Sequence, residues 1–328
     1  MRQAVSKNIS FQKKFPGVSV IIPTYNRAAY LKEAIESVLR QTYPPSQLIV
    51  VDDGSTDETP TVLSFYKERI KCLYQKNRER GAARNLGIRS SHGEYVAFLD
   101  SDDLWLPDHL KMCVSALEME PDHGVAFSNA YRIDASGKII AKNAKGVWKG
   151  DVLEKIIKKY SSGGCNSSSA VVRKGLFFNE GGQAGFFCED PALSGSEDWE
   201  MWVRLASCTR FLPVDAYTVK LRCHPEQSSQ RIEKMERSMT LALDLVFQNK
   251  ALIPKIKKWK REGYSSLYTI IATNYYGSDD FRRARIFLKR AIFKYPLALF
   301  FNKLILYTFF RMLLGKHLVI FIRKLKHV

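Results

Sequence analysis

The sequence predicts an α/β protein: a mostly parallel sheet flanked by helices, with a small helical extension at the C-terminus. Three observations predict it. Short β-branched runs alternate with helical stretches over the first hundred residues, the pattern of βαβ units. Turn residues and carboxylates collect where those runs end, which is where such sheets bind ligands. From about residue 231 the chain becomes helical and basic, with few turn signals.

The elements follow in order. "VSVIIPTY" is the first strand. "NRAAYLKEAIESVLRQT" places Leu31, Ile35, Val38 and Leu39 at helical spacing, with Asn26 as the candidate N-cap. "LIVVDD" is the second strand and runs into the turn residues "DDGSTDET". "PTVLSFYKERI" is a second helix, "KCLYQ" a third strand, "RGAARNLGIRSS" a third helix and "EYVAFLD" a fourth strand. From 110 to 230 the pattern is less regular. "HGVAFSNAYRID" reads as a strand, "DASGKII" as a turn and its return, and "SAVV" as a further strand. "EGGQAGFFCEDPALSGSED" is a long loop. "WEMWVRLAS" is a helix with Trp199, Trp202, Val203 and Leu205 on its apolar face, and "PVDAYTVKLRCH" is the last strand. "YYGSDDFRRARIFLKRAIFKYP" is similar to the second half of one tetratricopeptide unit; a single unit is no repeat array, so it reads as an isolated helical hairpin. The chain therefore divides into an arm (1–15), an α/β domain (16–230) and a basic helical region (231–328).

A chain of 328 residues that is 45% hydrophobic can bury a substantial core. Its formal net charge of +18 calls for anionic partners: phosphates, nucleic acid or a membrane surface. Six cysteines with no CxxC pair fit reduced thiols better than a disulfide framework or a zinc site. The first fifteen residues hold no apolar segment, so no signal peptide is expected, and no apolar run reaches the ~18 residues of a spanning helix.

"LDSDDLWLPDHL" carries the densest chemistry, with Asp100, Asp102 and Asp103 at the end of an apolar strand. Like charges this close raise one another's pKa unless a cation neutralises them. Either this is a solvated turn whose acids complement a helix start, or a divalent cation belongs there.

"VSVIIPTYNR", "VVDDGSTD", "RGAARNLGI", "FLDSDD" and "SEDWEMWVRLA" occur in this order. The ordered set resembles the family 2 glycosyltransferases, enzymes of the GT-A fold, over roughly residues 16–230. The resemblance implies metal-dependent, inverting transfer of a sugar from a nucleoside-diphosphate sugar, UDP-linked by expectation. The acceptor would be a glycan or a lipid-linked glycan in cell-surface polysaccharide synthesis. It implies that Pro23 and Tyr25 line the base and ribose, that Asp53, with Asp52 beside it, reads the base, and that Arg80 and Arg84 contact base or phosphate. A capped turn is the plainer reading of Asp52 and Asp53, and a solvated helix face that of the two arginines. "DSDD" would be the family's DXD motif: Asp100 at the ribose or a metal-bound water, Asp102 on the Mn²⁺ or Mg²⁺, Asp103 in support. His224 would be a further metal ligand, and Arg222 and Ser228 would reach the diphosphate. Asp198 would be the general base and Glu197 would orient a neighbouring group; Glu189 and Asp190 rank lower, since no amphipathic helix follows them. The loop 181–196 and "GGCNSSS" would shape the acceptor site. A non-catalytic GT-A scaffold, or a nucleotide-binding protein, is the competing reading. A Rossmann oxidoreductase lacks its GxGxxG, and a nucleic-acid binder lacks any recognised motif.

The tail from Leu297 is rich in Phe, Leu and Ile and interrupted by Lys303, Arg311 and Lys316. A spanning helix would bury Arg311 at about 2.5–3.5 kcal/mol. An interfacial helix would avoid that cost, so peripheral association with the cytoplasmic face of a membrane is expected. Packing as core, or a homodimer contact through the C-terminal helices, is the alternative.

Overall fold

The computed structural model describes residues 16–143, 148–178, 184–225, 227 and 231–297. Its strands are β1 (Val18–Thr24), β2 (Gln47–Asp52), β3 (Lys71–Tyr74), β4 (Tyr95–Phe98), β5 (Leu104–Trp105), β6 (His123–Ile133), β7 (Ile139–Asn143), β8 (Ala170–Arg173) and β9 (Arg210–Arg222). They form one sheet in the order β3-β2-β1-β4-β8-β6-β9-β5, with β7 paired to β6. β1 to β4 are parallel, as the alternation predicts. β8 is inserted antiparallel between β4 and β6, and β6 pairs parallel with β9. β5 and β7 add short antiparallel edges.

Side chains of the central strands alternate between two cores, as the period of two requires. Val18, Val20, Ile22, Leu48 and Val50 face one core; Ile21, Ile49 and Val51 face the other. Burial on both faces explains why these strands read as continuous apolar runs. Against the first core pack α1 (Ala28–Leu39), α2 (Thr59–Ser64) and α4 (His109–Met119). The sequence pattern assigned no element at 109–119, although Leu110, Cys113, Val114 and Leu117 carry the helical spacing and are buried. The second core is covered by α3 (Glu79–Arg89), α5 (Leu153–Lys159), α6 (Gly175–Phe178) and α7 (Glu197–Ala206).

α8 (Ile232–Gln248), α9 (Ile253–Ile256), α10 (Lys260–Gly277) and α11 (Phe281–Lys294) follow. Their apolar faces join that same second core, so the basic helices and the sheet share one interior. α10 and α11 form a helical hairpin, tied where Ser265 Oγ donates to the Ala291 carbonyl at 2.9 Å. All six cysteines are free thiols. Among the described residues no helix is long and apolar enough to cross a membrane, and the tail beyond Leu297 lies outside them.

Asn26 does not cap α1. It stands at φ 50° and its Oδ1 accepts from Thr56 N at 2.7 Å, so it fastens the "DDGST" loop instead. Asp57 Oδ2, from that loop, accepts from Ala28 N at 3.1 Å and serves the helix start across the gap. A left-handed Asn at the strand end turns the chain too early for its own side chain to reach back.

Candidate functional site

The carboxyl ends of β1, β2 and β4 open into a cleft of about 360 Å³ whose wall includes Pro23, Tyr25, Asp53, Arg80, Asp100, Asp102 and Asp103. These sequence-predicted residues, scattered over eighty positions, meet there because three parallel strands end side by side.

On one side lies the β2 turn. Asp53 Oδ1 accepts from Gln75 Nε2 at 2.6 Å and from Arg78 N at 2.9 Å. Burial raises its pKa against those bonds. Asp52 turns away from the cleft and caps the turn, its Oδ1 taking Ser55 N at 2.9 Å. Gly54 makes the turn possible: its φ is +84°, and a Cβ there would meet Asn77 N at 2.9 Å.

On the other side is the "DSDD" turn. Asp103 is buried and spends both oxygens on structure, Oδ1 on Arg222 N at 2.8 Å and Oδ2 on Ser168 Oγ at 2.6 Å. Burial, then the charges of Asp102 and Asp100, push its pKa well up. Asp102 presents its carboxylate to the cleft, with Oδ2 3.0 Å from His224 Nε2 and 3.8 Å from Arg27 Nε. His224 is itself buried against Tyr30. Arg222 borders the cleft, yet its guanidinium is committed to the Asp102 and Ala135 carbonyls and to Glu33, which takes it away from a diphosphate. Ser228 lies outside the described residues.

Beneath the cleft runs a buried chain of charge. Arg84 is 1% exposed, and it does not reach the cleft as its expected base or phosphate contact requires. Its Nη2 donates to Asp100 Oδ1 at 2.7 Å and its Nη1 to Glu197 Oε1 at 2.8 Å. Arg80 Nε adds a second cation 3.3 Å from Glu197 while its side chain stays in the wall. Burial opposes the Glu197 charge, but Arg80 and Arg84 outweigh it and hold its carboxyl down to about 2. The neighbouring Asp198 goes the other way: burial, then the fixed Glu197 charge, push it up to about 6. Two adjacent carboxyls with pKa values driven apart are the signature of an acid–base division of labour. Both open α7, where Tyr160 stacks on Trp199 at 4.1 Å and Glu197 Oε2 accepts from Gly195 N at 2.7 Å. Glu189 clamps Arg78 and Asn85, and Asp190 caps a short turn.

Other cleft residues carried no sequence signal. Glu79 sits at φ 68°, its carboxylate held by Ser194 and Lys234, and Met235 reaches in from α8. Glu79 is there as the left-handed first residue of α3, and Met235 through packing of α8, which local pattern does not show.

The donor set fits a divalent cation: a carboxylate oxygen and an imidazole nitrogen side by side, in a turn crowded with like charge. Among the described residues the one tight cluster of three such groups is Glu120, Asp122 and His123, at the opposite end of β6. Lys149 and Arg210 already neutralise that cluster.

Residues 19–179 match the family described as Glycosyl transferase family 2. A Rickettsia felis protein described as an uncharacterized glycosyltransferase is 35% identical over 207 residues, 62% of this chain and 33% of that protein. Chondroitin synthase of Escherichia coli is 27% identical over 227 residues, 68% of this chain and 31% of its own length. The chain thus spans about a third of these relatives. S. aureus TarS 1-349 in complex with UDP-GlcNAc superposes with a TM-score of 0.55 at 16% identity, covering 83% of this chain and 90% of that one. A Pyrobaculum calidifontis mannosyltransferase in complex with GDP-Man and Mn²⁺ gives 0.57 at 18%, covering 92% and 88%. These likenesses show the fold, the GT-A arrangement of a curled central sheet and flanking helices.

Proposed function

We propose that the protein, whose residues 19–179 match the family described as Glycosyl transferase family 2, transfers a sugar, with inversion, from a nucleoside-diphosphate sugar, UDP-linked first, to a hydroxyl of a glycan or lipid-linked acceptor. The observation that supports this reading is a cleft that gathers Asp53, Asp100 and Asp102, with buried His224 3.0 Å from Asp102 and with Arg84 beneath it joining Asp100 to Glu197, the first residue of α7 and the neighbour of Asp198. The relatives named for glycosyltransfer and for chondroitin synthesis support it, and the second favours a polysaccharide as the product.

Asp53, with Pro23 and Tyr25 beside it, accepts a base N–H, since a carboxylate can only accept. Arg80 faces the diphosphate. Asp102 and His224 would hold Mn²⁺ or Mg²⁺, with Asp100 and Asp103 fixing the turn; when bound, such an ion neutralises the leaving diphosphate. Asp198 takes the acceptor hydroxyl's proton as that oxygen attacks the anomeric carbon. The bond from that carbon to the diphosphate breaks, and its electron pair leaves with the nucleotide. One base and an in-line attack give inversion. Arg84 and Arg80 keep Glu197 anionic, and that charge keeps Asp198 basic enough to accept a proton at neutral pH.

A lipid-linked acceptor places the protein on the cytoplasmic face of a membrane, bound peripherally through its basic C-terminal region. Incubation with a panel of sugar nucleotides and Mn²⁺, reading nucleotide release, tests the assignment. One donor class should turn over in the wild type and fall by about 10²–10⁴ in Asp198→Asn with donor binding retained. Equal turnover in that variant would remove Asp198 as the base.

A further inference from the structure

The outer face of α11 is built backwards for a helix in water. Its inner face, Ala284, Phe287, Leu288 and Ala291, is buried in the second core. At the centre of the opposite face, where a solvent-facing helix carries polar groups, stand Ile286 and Phe293. Ile286 is 42% exposed and Phe293 is 89% exposed. Arg282, Arg285, Lys289 and Arg290 flank them at spacings of three and four residues, so all lie on that one face. The segment from Phe281 to Leu297 holds no Asp or Glu. Among the described residues, no carboxylate pairs with Arg282, Arg285 or Lys289.

We propose that this outer face of α11 is a docking surface for an anionic lipid bilayer, with Phe293 and Ile286 entering the interface and the flanking cations meeting phosphate headgroups. The inference deepens the membrane reading above and rests on it. Charge selects the occupant. A second copy of this chain would bring another cationic face, and the 298–328 tail carries Lys and Arg with no Asp or Glu, so both repel the patch. Nucleic acid would satisfy the cations but not two apolar side chains at the middle of the face. A bilayer interface satisfies both, because aromatic and aliphatic groups settle at the acyl boundary while basic stems reach the headgroups.

The test is co-sedimentation of the full chain with phosphatidylcholine vesicles, with and without phosphatidylglycerol, at low and high salt. Two variants are used, Ile286→Ser/Phe293→Ser and Arg282→Gln/Lys289→Gln. All four positions are exposed, so unchanged thermal unfolding is expected and checks the fold. The wild type should bind the anionic vesicles, release with salt, and ignore neutral ones. Each variant should lower the partition coefficient about tenfold or more, with UDP-sugar binding unchanged. Both variants leave the tail intact. Wild-type vesicle binding by both would therefore overturn the α11 assignment even if the tail reading stands. Tighter wild-type binding to a duplex oligonucleotide than to vesicles, or loss of a dimer in either variant, would overturn it too. Failure of UDP-sugar binding in the wild type would strike the glycosyltransferase reading alone.

Discussion

Replacing Arg84 by Met tests the charged floor of the cleft. Arg84 is 1% exposed and makes ion pairs of 2.7 Å to Asp100 and 2.8 Å to Glu197. Removing one member of a buried ionic group costs about 3–5 kcal/mol, because the partners stay in low dielectric without their counter-charge. Two features place this site at the low end. Arg80 Nε remains 3.3 Å from Glu197, and Asp100 is 28% exposed, so water can take up its charge. The expected loss is therefore about 3 kcal/mol, or about 6 °C in Tm at the roughly 2 °C per kcal/mol of a large domain. Urea denaturation and a thermal melt measure it. Arg84→Lys keeps the charge but cannot span both carboxylates with a planar fork, so it should fall between Met and wild type. Arg84 is also among the charges that hold the Asp198 pKa down, so its loss should move the acidic limb of the rate profile upward. A Met variant within about 1 °C of wild type would refute the network as a source of stability.

Three further outcomes follow. With Asp198 titrating at about 6, turnover should rise with pH through that value and level off above it, since only the carboxylate accepts a proton; a flat profile from pH 5 to 8 would contradict the assignment. Glu197, held near 2 in the folded state, contributes stability that is present above its ordinary carboxylate pKa and is lost as pH falls toward 2, so acid titration of the Glu197→Gln variant should show a weaker dependence in that window. Gly54→Ala should cost about 1–2 kcal/mol from the positive φ alone and weaken nucleotide binding through the Asp53 turn; an unperturbed melt would show the turn can relax.

The strands were legible because burial on both sheet faces leaves continuous apolar runs, and the cleft only as a cluster of acids at strand ends, some of which serve the turns themselves: Asp52 caps its own turn and Asp103 spends both oxygens on Ser168 and Arg222. Arg84 links Asp100 of "DSDD" to Glu197 of "SED" through ion pairs of 2.7 and 2.8 Å. What stayed hidden was set by tertiary contact. Asn26 has the chemistry of a cap, yet its left-handed backbone hands that role to Asp57 on another loop. Arg84 and Arg80 are four residues apart on α3 and look alike in sequence; one helix turn decides that Arg80 faces the cleft and Arg84 goes under it. Met235 joins the wall because α8 packs back over the second core, and Lys234 beside it reaches Glu79 at the start of α3.

The central claim is that Asp102 and His224 make a metal-dependent nucleotide-diphosphate site. Thermal unfolding with UDP, Mn²⁺, both or neither, in wild type and Asp102→Asn, tests it without needing the acceptor. The account predicts a stabilisation by UDP that requires Mn²⁺ and grows with ligand concentration, abolished in the variant. Equal stabilisation of wild type and variant by UDP with Mn²⁺, or full stabilisation of the wild type by UDP in the presence of chelator, would contradict it.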